Sequence, residues 1–214
     1  MHYNMVYTGV LTHVNYNDAG EVYMQHERVQ KLTISALLVA IGILIPIISP
    51  VKIILEPASF TLGSHVAIFI ALFISPMMAV SVALGTTVGF LISGFPLVIS
   101  LRALTHVLFA GVGAYWLQKD PGLMNSPIKT QLYSLMIGIL HAVAEVLVIA
   151  LFYFGGTMTE ADYSQGFLRS VFLMVGVGTV IHSMVDFSLA HIVWKALNTR
   201  QSFVAKMTKL RNNN

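Results

Sequence analysis

Apolar residues run almost continuously from Ile34 to Ile48, from Val66 to Ile74 and from Leu132 to Phe154, with short polar stretches between the runs. A helix needs about 20 apolar residues to cross about 30 Å of hydrocarbon. A transmembrane barrel would instead alternate apolar and polar positions over strands of about ten residues. The runs here do not alternate, and lipid leaves only helices or closed barrels with every backbone group satisfied. The pattern predicts an all-α polytopic membrane protein with six transmembrane helices, at about 31–49, 61–75, 77–93, 97–118, 131–154 and 168–197. Breaks fall where turn chemistry concentrates. Pro46, Pro50 and Pro57 follow the first span, beside Lys52 and Glu56; Pro76 separates the second from the third; Gly94-Phe95-Pro96 precedes the fourth. Residues 119–130, with Pro121, Gly122 and Pro127, form a polar connection, and residues 155–165, opening on Gly155-Gly156, form the last loop. Three parts result: a polar N-terminal tail without helical periodicity (1–27), in which Met24 is a plausible alternative start; the six-helix membrane domain (28–200); and a basic cytoplasmic C-terminal tail (201–214).

Composition agrees with a bilayer. Of 214 residues, 56% are hydrophobic and 10% charged, with a mean hydropathy of +0.77; a soluble domain carries about a quarter charged residues. There is no cysteine, which excludes disulfides, thiolate metal ligands and thiol nucleophiles. The first 27 residues are mostly polar, and the apolar run after them is too long for a cleaved signal. The net charge of +3 reads as topology and not as a nucleic-acid footprint. With the N-terminus inside, Arg28, Lys31, Lys119, Lys129, Lys195, Arg200, Lys206, Lys209 and Arg211 are cytoplasmic, and only Lys52 and Arg169 are outside. The positive-inside rule therefore predicts both termini in the cytoplasm of a multi-pass cell-membrane protein.

Candidate chemistry lies in polar residues inside the apolar runs. Arg102 stands about five residues into the fourth span, one turn before His106. An Arg at mid-membrane costs about 2.5–3.5 kcal/mol on insertion scales, so it faces a partner or an aqueous cavity unless it snorkels to the headgroups. The favoured reading is a cationic anchor for an anionic substrate, because guanidinium matches carboxylate bidentately. His141 and Glu145 form an i, i+4 pair in the fifth span, and His182 and Asp186 another in the sixth. Such pairs also tie helices together. Glu145 falls nearer the outer surface, within reach of Arg102 or a substrate, whereas His182 and Asp186 fall at or below the midplane and read as structural. His65 follows Ser59, Thr61 and Ser64, a cluster that bonds a ligand or caps a helix. Gly85, Thr86, Thr87 and Gly89 read as close-packing residues. The candidate substrate-binding set is Arg102, His65, His106, Glu145 and His141.

The first span carries Ala36-Leu37-Leu38-Val39-Ala40, a face on which another helix can approach closely. With Lys31-Leu32-Thr33 ahead of it and six spans in all, residues 28–200 resemble the substrate-binding S components of energy-coupling factor (ECF) transporters. The distinctive stretch runs from Pro57-Ala58-Ser59-Phe60-Thr61-Leu62-Gly63-Ser64-His65, through Phe73-Ile74-Ser75-Pro76 and Gly94-Phe95-Pro96, to Leu101-Arg102-Ala103-Leu104-Thr105-His106. It is most similar to the niacin subgroup, with pantothenate next; both vitamins carry a carboxylate. The resemblance implies that Ala36 and Ala40 dock onto a transmembrane coupling subunit, that two cytoplasmic ATPases supply energy, and that residues 50–60 form a lid over an outward-facing pocket. The chain has no Gly-x-x-x-x-Gly-Lys-Ser/Thr phosphate loop, so it is expected to be no enzyme and to hold no cofactor.

Three other readings compete. A transition-metal uptake subunit is suggested by the His-plus-acid pairs and by Met1-His2, but Tyr3-Asn4-Met5 departs from the pattern of such subunits and no His-Glu-x-x-His occurs; no metal site is expected. An intramembrane protease is suggested by Phe187-Ser188-Leu189-Ala190-His191, but lacks the paired glutamates followed by arginine. A proton-coupled carrier could use Glu145 and Asp186, but such carriers are commonly built from repeats, and none is visible.

Overall fold

The computed structural model describes residues 6–7, 10–11, 16–55 and 58–212, with side chains described over 24–53 and 58–200. In chain order the elements are β1 (Val6–Tyr7), β2 (Val10–Leu11), α1 (Tyr16–Ile48), β3 (Lys52–Leu55), β4 (Ala58–Thr61), α2 (Val66–Ile74), α3 (Pro76–Ile92), α4 (Leu97–Lys119), a 3-10 turn (Pro121–Met124), α5 (Pro127–Phe154), the short α6 (Glu160–Ser164), a π-helix (Leu168–Val177) and α7 (Gly178–Asn212). Among the described residues, four segments are long and apolar enough to cross a membrane: Met24–Ile48, Leu97–Lys119, Pro127–Phe154 and Leu168–Arg200. Pro76–Ile92 is a shorter apolar helix. Leu132, Leu147, Leu151 and Phe154 of α5 are exposed, the outward apolar surface that lipid requires.

The helix ends follow from local chemistry. Ser75 caps α3 by accepting from the Met78 N–H, with Pro76 at the first position where no donor is needed. Ser126 and Pro127 open α5 in the same way. Gly94 turns the chain into α4 at φ +78°, a conformation that a side chain disfavours. Thr159 and Asp162 form a reciprocal capping box that starts α6 inside the predicted last loop.

α3 packs against α1 and α4, and α5 lies between α4 and α7. The buried centre is aromatic: the Phe69 ring lies 5.5 Å from Phe109 and 5.3 Å from Phe187, with Tyr133 5.8 Å from Phe187. The predicted close-packing role of the third span holds. A Cβ added at Gly85 would meet Val39 Cγ2 at 2.6 Å, and one at Gly89 would collide with the end of Ile43. Thr86 and Thr87 donate back to the carbonyls of Val82 and Ala83, which removes their polarity from the interface. Gly89→Leu is therefore expected to lower the melting midpoint of the detergent-purified protein, because overpacking costs about 1–3 kcal/mol. An unchanged midpoint would mean that α1 does not press on α3.

Several sequence expectations need correction. α1 starts at Tyr16, inside the predicted tail, and Lys31 and Glu27, one turn apart, pair along it at 2.7 Å. Pro46 lies within α1 and does not end it. The second span, expected over 61–75, is a nine-residue helix, Val66–Ile74. The residues ahead of it form an antiparallel hairpin, with Lys52 opposite Thr61 and Ile53 opposite Phe60, so the chain is not purely helical. β-branched and aromatic side chains favour a pleated pair here, and Gly63 at φ +81° makes the turn from β4 toward α2. α5 begins earlier than predicted, at Pro127, and α7 continues through the predicted C-terminal tail to Asn212. Glu56 and Pro57 lie outside the described residues, as do the side chains of Lys206, Lys209 and Arg211.

Candidate functional site

A single acid holds the start of α2. Asp186 of α7, fully buried, accepts from the Gly63 N–H at 2.7 Å, the His65 N–H at 2.9 Å and the Ser64 hydroxyl at 3.4 Å. It also accepts from His65 Nδ1 at 3.0 Å. A carboxylate of this kind can only accept, so Nδ1 donates here and Nε2 of His65 is turned away from Asp186. His182, one turn before Asp186, stands 3.1 Å from the Ser64 hydroxyl. His182 also lines the cavity of the other histidines, while Asp186 acts on it through His65. The π-helix ahead of α7 bonds i to i+5, and its wider turns advance the chain less per residue than α-helical turns do.

The second centre is Glu145 of α5. Arg102 Nη2 of α4 donates to Glu145 Oε2 at 2.8 Å, and the Thr179 hydroxyl of α7 donates to the same oxygen at 2.7 Å. Its other oxygen, Oε1, lies 3.5 Å from His106 Nε2 and 3.4 Å from His141 Nε2. Removing one side of a buried pair of this kind costs about 3–5 kcal/mol, so Arg102 and Glu145 depend on each other. Four imidazoles meet in this space. The His65 ring centre lies 4.7 Å from His106, 4.8 Å from His141 and 5.0 Å from His182.

All five predicted binding residues, Arg102, His65, His106, Glu145 and His141, line one small cavity of about 90 Å³. Drug-sized ligands occupy pockets of about 300–1,000 Å³, so this space suits a much smaller molecule. Ile68, Phe90 and Ile99 give it apolar walls, and Ser59, Phe60 and Thr61 of β4 lie over one side. Phe60 packs its ring 5.2 Å from that of His182, and its edge so fills the space at Gly178 that a Cβ there would meet Phe60 Cζ at 2.6 Å. Arg102 Nε and both ring nitrogens of His106 and of His141 are buried without a hydrogen-bond partner. The sequence missed Thr179 and Phe60; neither has a pattern of its own, since each acts only through helices and strands brought together by folding. Ala36 and Ala40 are not at this site. Both are exposed on α1.

Comparison with protein-family models gives no match, and no solved structure matches the chain. Among curated proteins, the chain is 47% identical over 163 residues to the niacin transporter NiaX of Lactococcus lactis subsp. cremoris (strain MG1363). The alignment covers 76% of this chain and 72% of that protein. Identity at this level over most of both chains shows common descent, and this chain belongs to the niacin-transporter family of ECF S components, the family its sequence resembles.

Proposed function

We propose that this chain is the niacin-binding membrane subunit of an ECF-type importer, working with a transmembrane coupling subunit and two cytoplasmic ATPase subunits and carrying no ATPase site itself. The observation that carries the reading is Arg102, lining a small buried pocket with a guanidinium nitrogen unpartnered, in a chain closely related to a niacin transporter. Nicotinate is a flat ring bearing one carboxylate. Arg102 would hold the carboxylate, and Ile68, Phe90 and Ile99 would pack on the ring. The hairpin of β3 and β4 would be the lid, seated by Phe60. Titration of the purified chain with nicotinate, nicotinamide and pantothenate tests this. Nicotinate should bind tightest; equal or tighter binding of pantothenate would reassign the substrate.

In the membrane we place six spans with both termini inside, α2 and the hairpin together filling the depth of the second. The chain has no cysteine, so single introduced cysteines report sidedness without background. Asn125 and Glu160 are exposed, and neither supplies the capping hydroxyl of the helix beside it. An impermeant thiol reagent on intact cells should label Glu160→Cys and leave Asn125→Cys unlabelled. The reverse labelling would invert the topology.

A further inference from the structure

We propose that His65, His106 and His141 together hold one divalent transition-metal ion, with Glu145 Oε1 facing two of the three imidazoles. The three imidazoles come from three different elements, yet one ring nitrogen of each lies within 4.8 Å of the other two. His141 is fully buried and His106 is 6% exposed, and neither ring makes a hydrogen bond through either nitrogen. Buried polar atoms are nearly always satisfied, so two imidazoles whose Nδ1 atoms have no partner, and whose Nε2 atoms reach only Glu145 at long range, call for one. The distances name its kind. His106 Nε2 and His141 Nε2 stand 3.5 Å and 3.4 Å from Glu145 Oε1, long for hydrogen bonds. Two donors each about 2.0–2.1 Å from a tetrahedral zinc ion stand about 3.3–3.4 Å apart; Glu145 Oε1 already stands at about that spacing from two of the imidazoles, and the imidazole nitrogens, up to 4.8 Å from one another, would close in on a bound ion.

The surroundings match the outer shell of a metal site. Metal-bound histidines usually donate their other nitrogen to a carboxylate, which fixes the ring and raises its basicity. His65 does this through Nδ1 to Asp186. Glu145 is oriented likewise, its Oε2 held by Arg102 and Thr179 while Oε1 faces the imidazoles. A second grouping of His65, His182 and Asp186 is also compact, but Asp186 is engaged by two backbone N–H groups and His182 by Ser64. An imidazole-rich set favours zinc, nickel, copper or iron over magnesium or calcium.

The test uses the full chain purified in detergent without a polyhistidine tag, stripped with chelator and titrated with Co²⁺ alone. About one equivalent should bind with the visible absorption of tetrahedral cobalt, and Zn²⁺ should displace it. His106→Gln and His141→Gln should each weaken binding by about 10-fold or more. His191→Gln, outside the cluster, should bind as the native chain does. No cobalt binding by the native, monodisperse protein would overturn the proposal, as would binding that both variants retain. The readout contains no vitamin, so it stands apart from the niacin reading. Metal binding together with failure to bind nicotinate would overturn that reading and leave this one.

Discussion

Arg102→Ala is expected to bind nicotinate about thirty-fold to several thousand-fold more weakly than the native chain. Truncating one partner of a buried, charge-assisted pair costs about 2–5 kcal/mol, and each 1.4 kcal/mol is about tenfold. Part of that loss comes through Glu145, which is 3% exposed and keeps only the Thr179 hydroxyl on Oε2 once Arg102 is gone. A paired variant, Arg102→Gln with Glu145→Gln, removes both charges and leaves none stranded. Arg102→Lys should rescue only partly, since a point charge does not reproduce the planar fork. The decisive comparison is between ligands. Nicotinamide has no carboxylate, so it should bind the native chain poorly and lose much less on mutation, whereas misfolding would weaken both ligands alike. A folded Arg102→Ala protein that binds nicotinate with undiminished affinity would leave Arg102 as the structural partner of Glu145 only.

The second large effect concerns coupling, not binding. Ala36→Trp or Ala40→Trp should abolish vitamin uptake by cells while the purified subunit still binds nicotinate. Both alanines are exposed on α1, whereas Val39 and Ile43 of the same helix fill the space above Gly85 and Gly89. An indole therefore costs the isolated fold little, yet it holds a neighbouring membrane helix at a distance where packing no longer drives association. Loss of binding along with uptake would place these residues in the fold or the pocket.

The sequence shows some of this architecture more clearly than the rest. The fourth span was legible because Gly94-Phe95-Pro96 and the polar stretch after Lys119 bracket a continuous apolar run, and α4 occupies Leu97–Lys119. The second span was not: Thr61 ends β4 opposite Lys52 and residues 62–65 turn, so the helix begins only at Val66, a start fixed by hairpin pairing that no apolar run records. Arg102, His106, His141 and Glu145 stood out by spacing alone, since i, i+4 neighbours share a helix face. Asp186 was visible as a buried acid but not as the acid that seats His65. Those two residues are 121 positions apart, and only the packing of α2 on α7 joins them. The metal-like trio was illegible for the same reason: its histidines come from the start of α2, from α4 and from α5, and no short motif records such a set.

The aromatic layer of Phe69, Phe109 and Phe187 has a bearing on leakage. It lies directly beyond the imidazole cluster, with the Phe109 ring 4.4 Å from His141 and the Phe69 ring 6.5 Å from His65. All three rings are buried to 1% exposure or less. The same layer stands between the imidazole cluster and His191, whose ring lies 6.3 Å from that of Phe187. Phenyl rings carry no hydrogen-bonding group, so along this layer they offer water or a proton no step from one histidine to the other.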